Sequence, residues 1–259
     1  MAGRVALVTG GGRGIGRAIA LALAADGFAV AAAARTLSQV EATADAVRRL
    51  GAKALAVALD ASDAAAVTAA VERVSRELGP VDVLVNNAGL AESAPFARTD
   101  PDMWERHFAV NVRGPYLATR TVLPGMLDRR WGRVVNVASL AGLVGSPYVT
   151  AYTASKHALV GFTRALATEV GGKGVTVNAL CPGYVATDLT WNGARNVAAR
   201  TGKSFDDAVR AMADLNPGRR LLTPEEVAAA AVALVRDGDL NGEIVVLDGT
   251  APQPTRSDR

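Results

Sequence analysis

An α/β fold, a single doubly wound parallel sheet of about seven strands with helices on both faces, is predicted by three features of this 259-residue sequence. Short apolar strands alternate with longer amphipathic segments from end to end, the pattern of a parallel sheet buried beneath helices. A glycine turn, TGGGRGIG at Thr9 to Gly16, follows the first strand and opens the first helix, which is the context of a phosphate-cradling loop. Half of the residues are hydrophobic, enough to bury the core of one large domain. The expected organisation is one Rossmann-type domain over 1–250, with an irregular excursion at 184–217 and a polar tail at 251–259.

The elements follow in order. Arg4 to Thr9 is a strand, about Gly14 to Asp26 a helix and Ala29 to Ala34 a strand, together one βαβ unit of about 30 residues. A helix from Ser38 to Leu50 leads to a strand from Ala52 to Leu59, ended by Asp60. Asp63 to Leu78 is the next helix, closed by the stop signals Gly79 and Pro80. The strand Val81 to Asn86 runs into NNAG, and one long helix is expected from Pro101 to Arg129. The strand Arg133 to Val137 ends at Ala138 and Ser139, and the helix Thr150 to Val170 carries YTASK. The strand Gly174 to Leu180 terminates in CPG. Tyr184 to Pro217 lacks a clean period and contains Asn192, Gly193 and Gly202, which predicts a mobile excursion with short helices. Thr223, Pro224 and Glu226 read as cap, first-turn proline and capping-box acid for a helix from Pro224 to Arg236. Glu243 to Leu247 completes the sheet, and the tail APQPTRSDR is expected to be disordered.

Composition narrows the function classes. The net charge is +3 with 20% charged residues, and basic and acidic side chains are interspersed, so nucleic acid is not an expected partner. The pI near 9.3 carries little weight at so small a net charge. One cysteine, Cys181, leaves no internal disulfide and no cysteine-built zinc site. With two histidines, His107 and His157, no metal site is expected. MAGRVALVTGG enters a strand pattern directly and apolar runs are broken by charge, so no membrane contact and a cytoplasmic location are expected.

Several residues carry chemistry. Gly10, Gly14 and Gly16 follow a G-x-x-x-G-x-G spacing, not G-x-G-x-x-G; they suit a backbone that must approach a pyrophosphate at a helix N-terminus, although a tight connection without ligand has the same look. YTASK puts Tyr152 and Lys156 on one helical face. An ammonium one turn away would draw a phenol down from its usual pKa of about 10 towards use as a proton donor and acceptor. With four tyrosines among 259 residues, a chance Tyr-x-x-x-Lys is expected roughly 0.06 times. Ser139 lies just past a strand end, the edge where open α/β sheets bind ligands, and is otherwise a turn residue. Asn111, a poor helix former inside a helical stretch, has solvent exposure as its plain explanation. In AVAAAARTLSQ, Ala29 to Gln39, the acid expected about 20 residues past a dinucleotide turn is missing. Ala33 and Ala34 leave room, and Arg35 offers a fork for a 2′-phosphate, with Arg13 approaching from the other side. Both arginines as solvated loop residues is the alternative.

Taken together, TGGGRGIG, Asp60, NNAG, Asn111, Ser139, YTASK and PGYVAT resemble the short-chain dehydrogenase/reductase family, over Val5 to Gly249. The resemblance is nearest to the branch acting on 3-oxoacyl or 3-hydroxyacyl thioesters and polyketide-like ketones. It implies hydride transfer between NADP(H) and a small-molecule carbonyl or secondary alcohol, with no metal. Tyr152 would be the acid/base, Lys156 would lower its pKa and hold the nicotinamide ribose, and Ser139 would polarise the substrate oxygen. Asn111 would help position a water in a relay with Lys156. The cofactor would lie over Thr9, Gly10, Arg13, Gly14, Ile15 and Gly16, with Arg35 at its 2′-phosphate and Asp60 and Ala61 near the adenine. Asn87, Ala88 and Gly89 would lie near the adenosine ribose, and Pro182, Gly183, Val185 and Thr187 around the nicotinamide. A homotetramer is implied as well. Asp248, Gly249 and Thr250 depart from the family's Asp-Gly-Gly ending.

Substrate choice is expected in Leu90 to Pro95, Leu140 to Val149 and Tyr184 to Pro217. Leu143, Val144, Tyr148, Tyr184, Leu189 and Trp191 suit an apolar pocket or the packing of the loop itself. Arg195, Arg200, Lys203, Arg219 and Arg220 suit a thioester carrier's phosphate or a solvated rim. A catalytically idle dinucleotide sensor on the same fold is the alternative function.

Overall fold

The computed structural model describes residues 3–250; the expected tail lies outside them. Seven strands, β1 (Val5–Thr9), β2 (Ala29–Ala34), β3 (Ala54–Ala58), β4 (Val81–Asn86), β5 (Gly132–Val137), β6 (Val175–Pro182) and β7 (Ile244–Leu247), form one parallel sheet ordered β3-β2-β1-β4-β5-β6-β7. The helices are α1 (Gly14–Ala25), α2 (Leu37–Arg49), α3 (Ala64–Glu77), α4 (Pro101–Phe108), α5 (Gly114–Asp128), α6 (Thr150–Val170), α7 (Asp188–Thr201), α8 (Phe205–Asp214) and α9 (Pro224–Arg236).

Strand β1, VALVT, is apolar and buried along its whole length, as a central parallel strand covered on both faces must be. Because successive side chains alternate, Val5 and Leu7 join one core with α3, α5 and α6. Ala6 and Val8 join the other, with α1, α9 and Val47 of α2. The order of connection reverses between β1 and β4, which opens a crevice at their carboxyl ends. Polar atoms hold that crevice's floor. Thr9 Oγ1 donates to the Val85 carbonyl at 3.3 Å and accepts the Asn87 and Ala88 amides at 3.0 and 3.1 Å. Beneath it, the buried Asn86 amide donates to Asn136 Oδ1 at 2.8 Å and Thr119 Oγ1 at 3.1 Å, and Asn136 donates to Thr163 Oγ1 at 2.9 Å. Those bonds tie β4 and β5 to α5 and α6.

The single long helix expected over Pro101 to Arg129 is interrupted by a π-helical turn at Ala109–Arg113. In a regular α-ladder the Pro115 nitrogen would face the Asn111 carbonyl with no proton to give; instead the Gly114 amide reaches back five residues to the Ala109 carbonyl. The wider turn aims Asn111 inward. It is fully buried, so solvent exposure does not explain it. The excursion after β6 is more regular than its sequence pattern: α7 ends on Gly202 in the left-handed region, φ 72°, and α8 packs back on it, with Trp191 and Phe205 rings 6.3 Å apart. Its base is closed, since the Leu222 amide donates to the Tyr184 carbonyl and the Ala186 amide to the Leu222 carbonyl. Buried Asn216 accepts the Tyr184 amide and donates to its carbonyl. Strand β6 runs on to Pro182, beyond the expected Leu180. Two short 3-10 turns, Phe96–Arg98 and Leu140–Gly142, were not anticipated by the periodicity.

Candidate active site

The glycine turn is shaped by contacts that no side chain could survive. Gly10 and Gly14 have φ of +65° and +50°, where glycine is unstrained. A Cβ on Gly16 would collide with the Gly10 carbonyl oxygen and with the Asn87 amide. That amide donates to the Thr9 and Gly10 carbonyls at 3.0 and 3.1 Å, locking the turn against the end of β4. At the start of α1 the Arg13 side chain makes no capping bond and the first turn carries no acid. The free first-turn amides beside a side-chain-free cradle fit the pyrophosphate of a dinucleotide. Thr187 bounds the cradle on the far side, with its methyl 3.2 Å from where a Gly14 Cβ would stand.

Four residues named from the sequence meet at the carboxyl ends of β4, β5 and β6. Lys156 is buried and donates to the Val137 carbonyl at 2.8 Å. A Cβ on Gly89 would lie 3.5 Å from Asn111 Oδ1 and 3.7 Å from Lys156 Nζ, so NNAG, Asn111 and Lys156 face one another. Asn111 donates to Ser155 Oγ at 2.9 Å, and Ser155 donates to the Tyr152 carbonyl at 2.7 Å. Ser155, buried and silent in the sequence reading, thus joins the π-turn to the helix of Tyr152. Ser139 caps the 3-10 turn, its Oγ accepting the Ala141 amide at 3.1 Å. Burial pushes the Tyr152 phenol up, and the Ser139 hydroxyl draws it partly back. Burial also pushes the Lys156 ammonium down to about 8. The expectation that Lys156 draws the phenol down therefore needs correction for the chain by itself. Its ammonium lies 5.8 Å from the centre of the Tyr152 ring and bonds to Val137, and Ser139 is the neighbour that lowers the phenol.

At the other end of the crevice Arg35 is exposed beyond β2 and has no hydrogen bond or ion pair among the described residues. Asp60, held below the usual carboxylate range by the Ser62 hydroxyl and amide and by the charge of Arg35, stands beside it with Ala61. Arg13 is engaged by an acid of the excursion. It donates to Asp188 Oδ2 at 3.2 Å, at the first turn of α7, and so bridges the glycine turn to the excursion; the acid 175 positions away in sequence draws it there. Pro182 and Gly183 close β6, the Gly183 amide donating to Leu247, and Val185 pairs with Leu222. Thr187 is the N-cap of α7.

The apolar candidates divide. Trp191 packs within the excursion, Leu143 and Tyr184 are half-buried, and Val144, Tyr148 and Leu189 are exposed. Of the basic candidates, Arg195 is bonded to Asn192, Arg219 to Asp214 and Arg220 to Glu226, leaving the Arg200 and Lys203 side chains without such partners among the described residues. No helix in the described residues is long and apolar enough to cross a membrane, and they hold no cluster of three or more metal-ligating side chains.

A dinucleotide cradle beside a half-buried tyrosine and a buried lysine on a doubly wound sheet defines an NAD(P)-dependent dehydrogenase or reductase. The family model for short chain dehydrogenase matches residues 4–198, and the chain belongs to that family. It is 38% identical over 237 residues to the 3-oxoacyl-acyl-carrier-protein reductase FabG of Pseudomonas aeruginosa, covering 91% of each chain. It is 39% identical over 251 residues to the acetoacetyl-CoA reductase of Shinella zoogloeoides, covering 95% of this chain and 97% of that one. A solved variant of actinorhodin polyketide ketoreductase with NADPH matches with a TM-score of 0.92 at 34% identity, covering 97% of this chain and 100% of that one. These similarities place the chain with oxidoreductases of the ketoreductase branch.

Between about pH 8 and the ordinary lysine value of 10.5 the unfolded chain carries more proton on Lys156 than the folded chain does. The penalty for charging this buried lysine is therefore fully present below about pH 8, and stability rises with pH from there towards the unfolded value. A 15N NMR titration of the folded, cofactor-free protein should show the Lys156 amine changing charge near pH 8; a midpoint above 10 would contradict the burial argument.

Proposed function

We propose that this chain is an NADP(H)-dependent carbonyl reductase, or secondary-alcohol dehydrogenase in reverse, acting on a 3-oxoacyl thioester or polyketide-like ketone. The observation that carries this reading is the meeting of Ser139, Tyr152 and Lys156 at the strand edge beside the glycine cradle. Gly10, Gly14, Ile15 and Gly16, with Asn87, Ala88 and Gly89 opposite, would hold the dinucleotide, and Pro182, Gly183, Val185 and Thr187 its nicotinamide end. A nicotinamide held there would supply hydride from its C4 to the carbonyl carbon, or take it up in reverse.

The chain's own side chains handle the oxygen. A phenol raised by burial stays protonated at neutral pH, so Tyr152 Oη is set to give its proton to the oxygen as charge develops there. Ser139 Oγ, already accepting the Ala141 amide, directs its one proton at the Tyr152 oxygen in the chain by itself and would donate it to the substrate oxygen when that oxygen lies between them. Lys156, its ammonium lowered to about 8 by burial, is the proton donor on the tyrosine's side of the site from which the Tyr152 phenolate could be reprotonated, and Asn111 holds the Leu90 backbone beside it. The excursion from Tyr184 to Pro217, closed at its base, would cover the ketone's apolar chain.

Preference for the 2′-phosphorylated cofactor is supported at the end of β2. Ala33 and Ala34 carry no charge to repel a phosphate, Arg35 is uncommitted, and the side chain of Thr36, the N-cap of α2, makes no capping bond. First-turn amides and a planar guanidinium together suit a phosphate dianion. The chain would work as a homotetramer, with Trp104 of α4, Tyr116 of α5 and Val246 of edge strand β7, all solvent-exposed apolar side chains, as faces to be covered.

Tyr152→Phe should cut ketone reduction by about 10²–10⁴-fold while fluorescence titration shows NADPH binding intact; substantial residual turnover would remove Tyr152 from the reaction. The unaltered protein should favour NADPH over NADH, and Arg35→Asp should shrink that preference about tenfold or more, so equal kcat/KM for the two cofactors before mutation would refute the assignment. Light scattering should give four times the chain mass; a monomer would overturn the assembly.

A further inference from the structure

His107 is fully buried, and the reading above gives it no part. It sits on α4, four residues before Asn111 and so on the same face. Its Nδ1 lies 2.7 Å from the Met103 carbonyl and its Nε2 3.0 Å from the Glu92 amide. A carbonyl can only accept and an amide can only donate, so these partners require the neutral ring with its proton on Nδ1. The ring also stands edge-on to Tyr152, 6.4 Å between centres.

The residues that His107 and its neighbours grip form one short segment. Asn111 takes both the amide and the carbonyl of Leu90, at 2.8 and 2.9 Å. Arg106 holds the Glu92 carboxylate at 3.0 and 3.3 Å. At the segment's far end the Ala94 amide donates to the Tyr148 carbonyl at 2.8 Å. Leu90 to Ala94 leaves the end of β4 beside Lys156 and is expected to border the substrate. Packing alone would be served by an aliphatic side chain, whereas this position spends both ring nitrogens on backbone groups, one of them in the middle of that segment.

We propose that His107 is a positioning residue: as a fixed neutral tautomer it clamps the Leu90 to Ala94 wall through the Glu92 amide and sets that wall against the Tyr152 ring. The clamp limits the orientations in which a ketone can reach the tyrosine hydroxyl. This rests on the reductase reading of the same site.

His107→Leu removes both bonds at similar bulk, and His107→Gln keeps an oxygen able to accept the Glu92 amide. Hydrogen–deuterium exchange on the cofactor-free proteins should show the Leu90 to Ala94 amides exchanging about tenfold or more faster in His107→Leu and close to the unaltered rate in His107→Gln. In steady-state assays with NADPH, His107→Leu should raise the ketone KM about tenfold and leave the NADPH KM unchanged, with His107→Gln restoring most of the ketone KM. Unchanged exchange or an unchanged ketone KM in a folded His107→Leu protein would overturn the proposal. So would a His107→Gln protein as impaired as His107→Leu, a comparison that stands even where the leucine variant folds poorly and His107→Gln is set against the unaltered chain. Failure of the unaltered chain to reduce any ketone would instead overturn the reductase reading, and the exchange rates would then decide the clamp by themselves.

Discussion

The join between the ends of β1 and β4 sets the terms for the rest of the site. Asn87 can donate to two successive carbonyls of the glycine turn because Gly10 and Gly16 present no Cβ between them. The same approach brings the first-turn amides of α1 to the crevice and directs NNAG towards Lys156. A side chain at Gly16 would separate the turn from β4, and both the cradle and the facing wall would lose their reference point. Thr9, bonded to Val85, Asn87 and Ala88, keeps the two strand ends from sliding.

Around that join the protein buries polar groups that would be costly without partners, and it satisfies them almost wholly with backbone and with one another. Asn86, Asn136, Thr119 and Thr163 form one connected set; Asn111, Ser155 and the Tyr152 carbonyl form another. Each set spans elements distant in sequence, so each converts helix packing into the placement of a strand end or a reactive side chain. Lys156 is the exception that carries charge into this environment, and its depressed pKa is the consequence.

Much of the fold was legible because parallel strands covered on both faces must be largely apolar, and VALVT, AVAAAA and VDVLVN meet that demand, with their polar members Thr9, Asp82 and Asn86 at or near the strand ends. The cap at Thr223, with Glu226 bonding back to the Thr223 amide, was legible for a similar reason, since capping is settled within four residues. The π-turn was not: Asn111 and Pro115 were visible, but a helix interrupted by one wider turn keeps nearly the same hydrophobic period. The regularity of α7 and α8 was hidden because their apolar faces meet each other and the closed base of the excursion, not the sheet.

By itself the sequence determined the order of elements, the placement of the glycine turn, Ser139 at a strand end and Tyr152 and Lys156 on one helical face, because periodicity, capping and local spacing act over a few residues. Tertiary structure decided which side chains meet. Arg13 goes to Asp188, burial outweighs Ser139 at the Tyr152 phenol, and His107 becomes the clamp of a wall fifteen residues upstream. Those outcomes depend on distances through space and on the loss of solvent around each group, and neither is encoded in any local stretch of the chain.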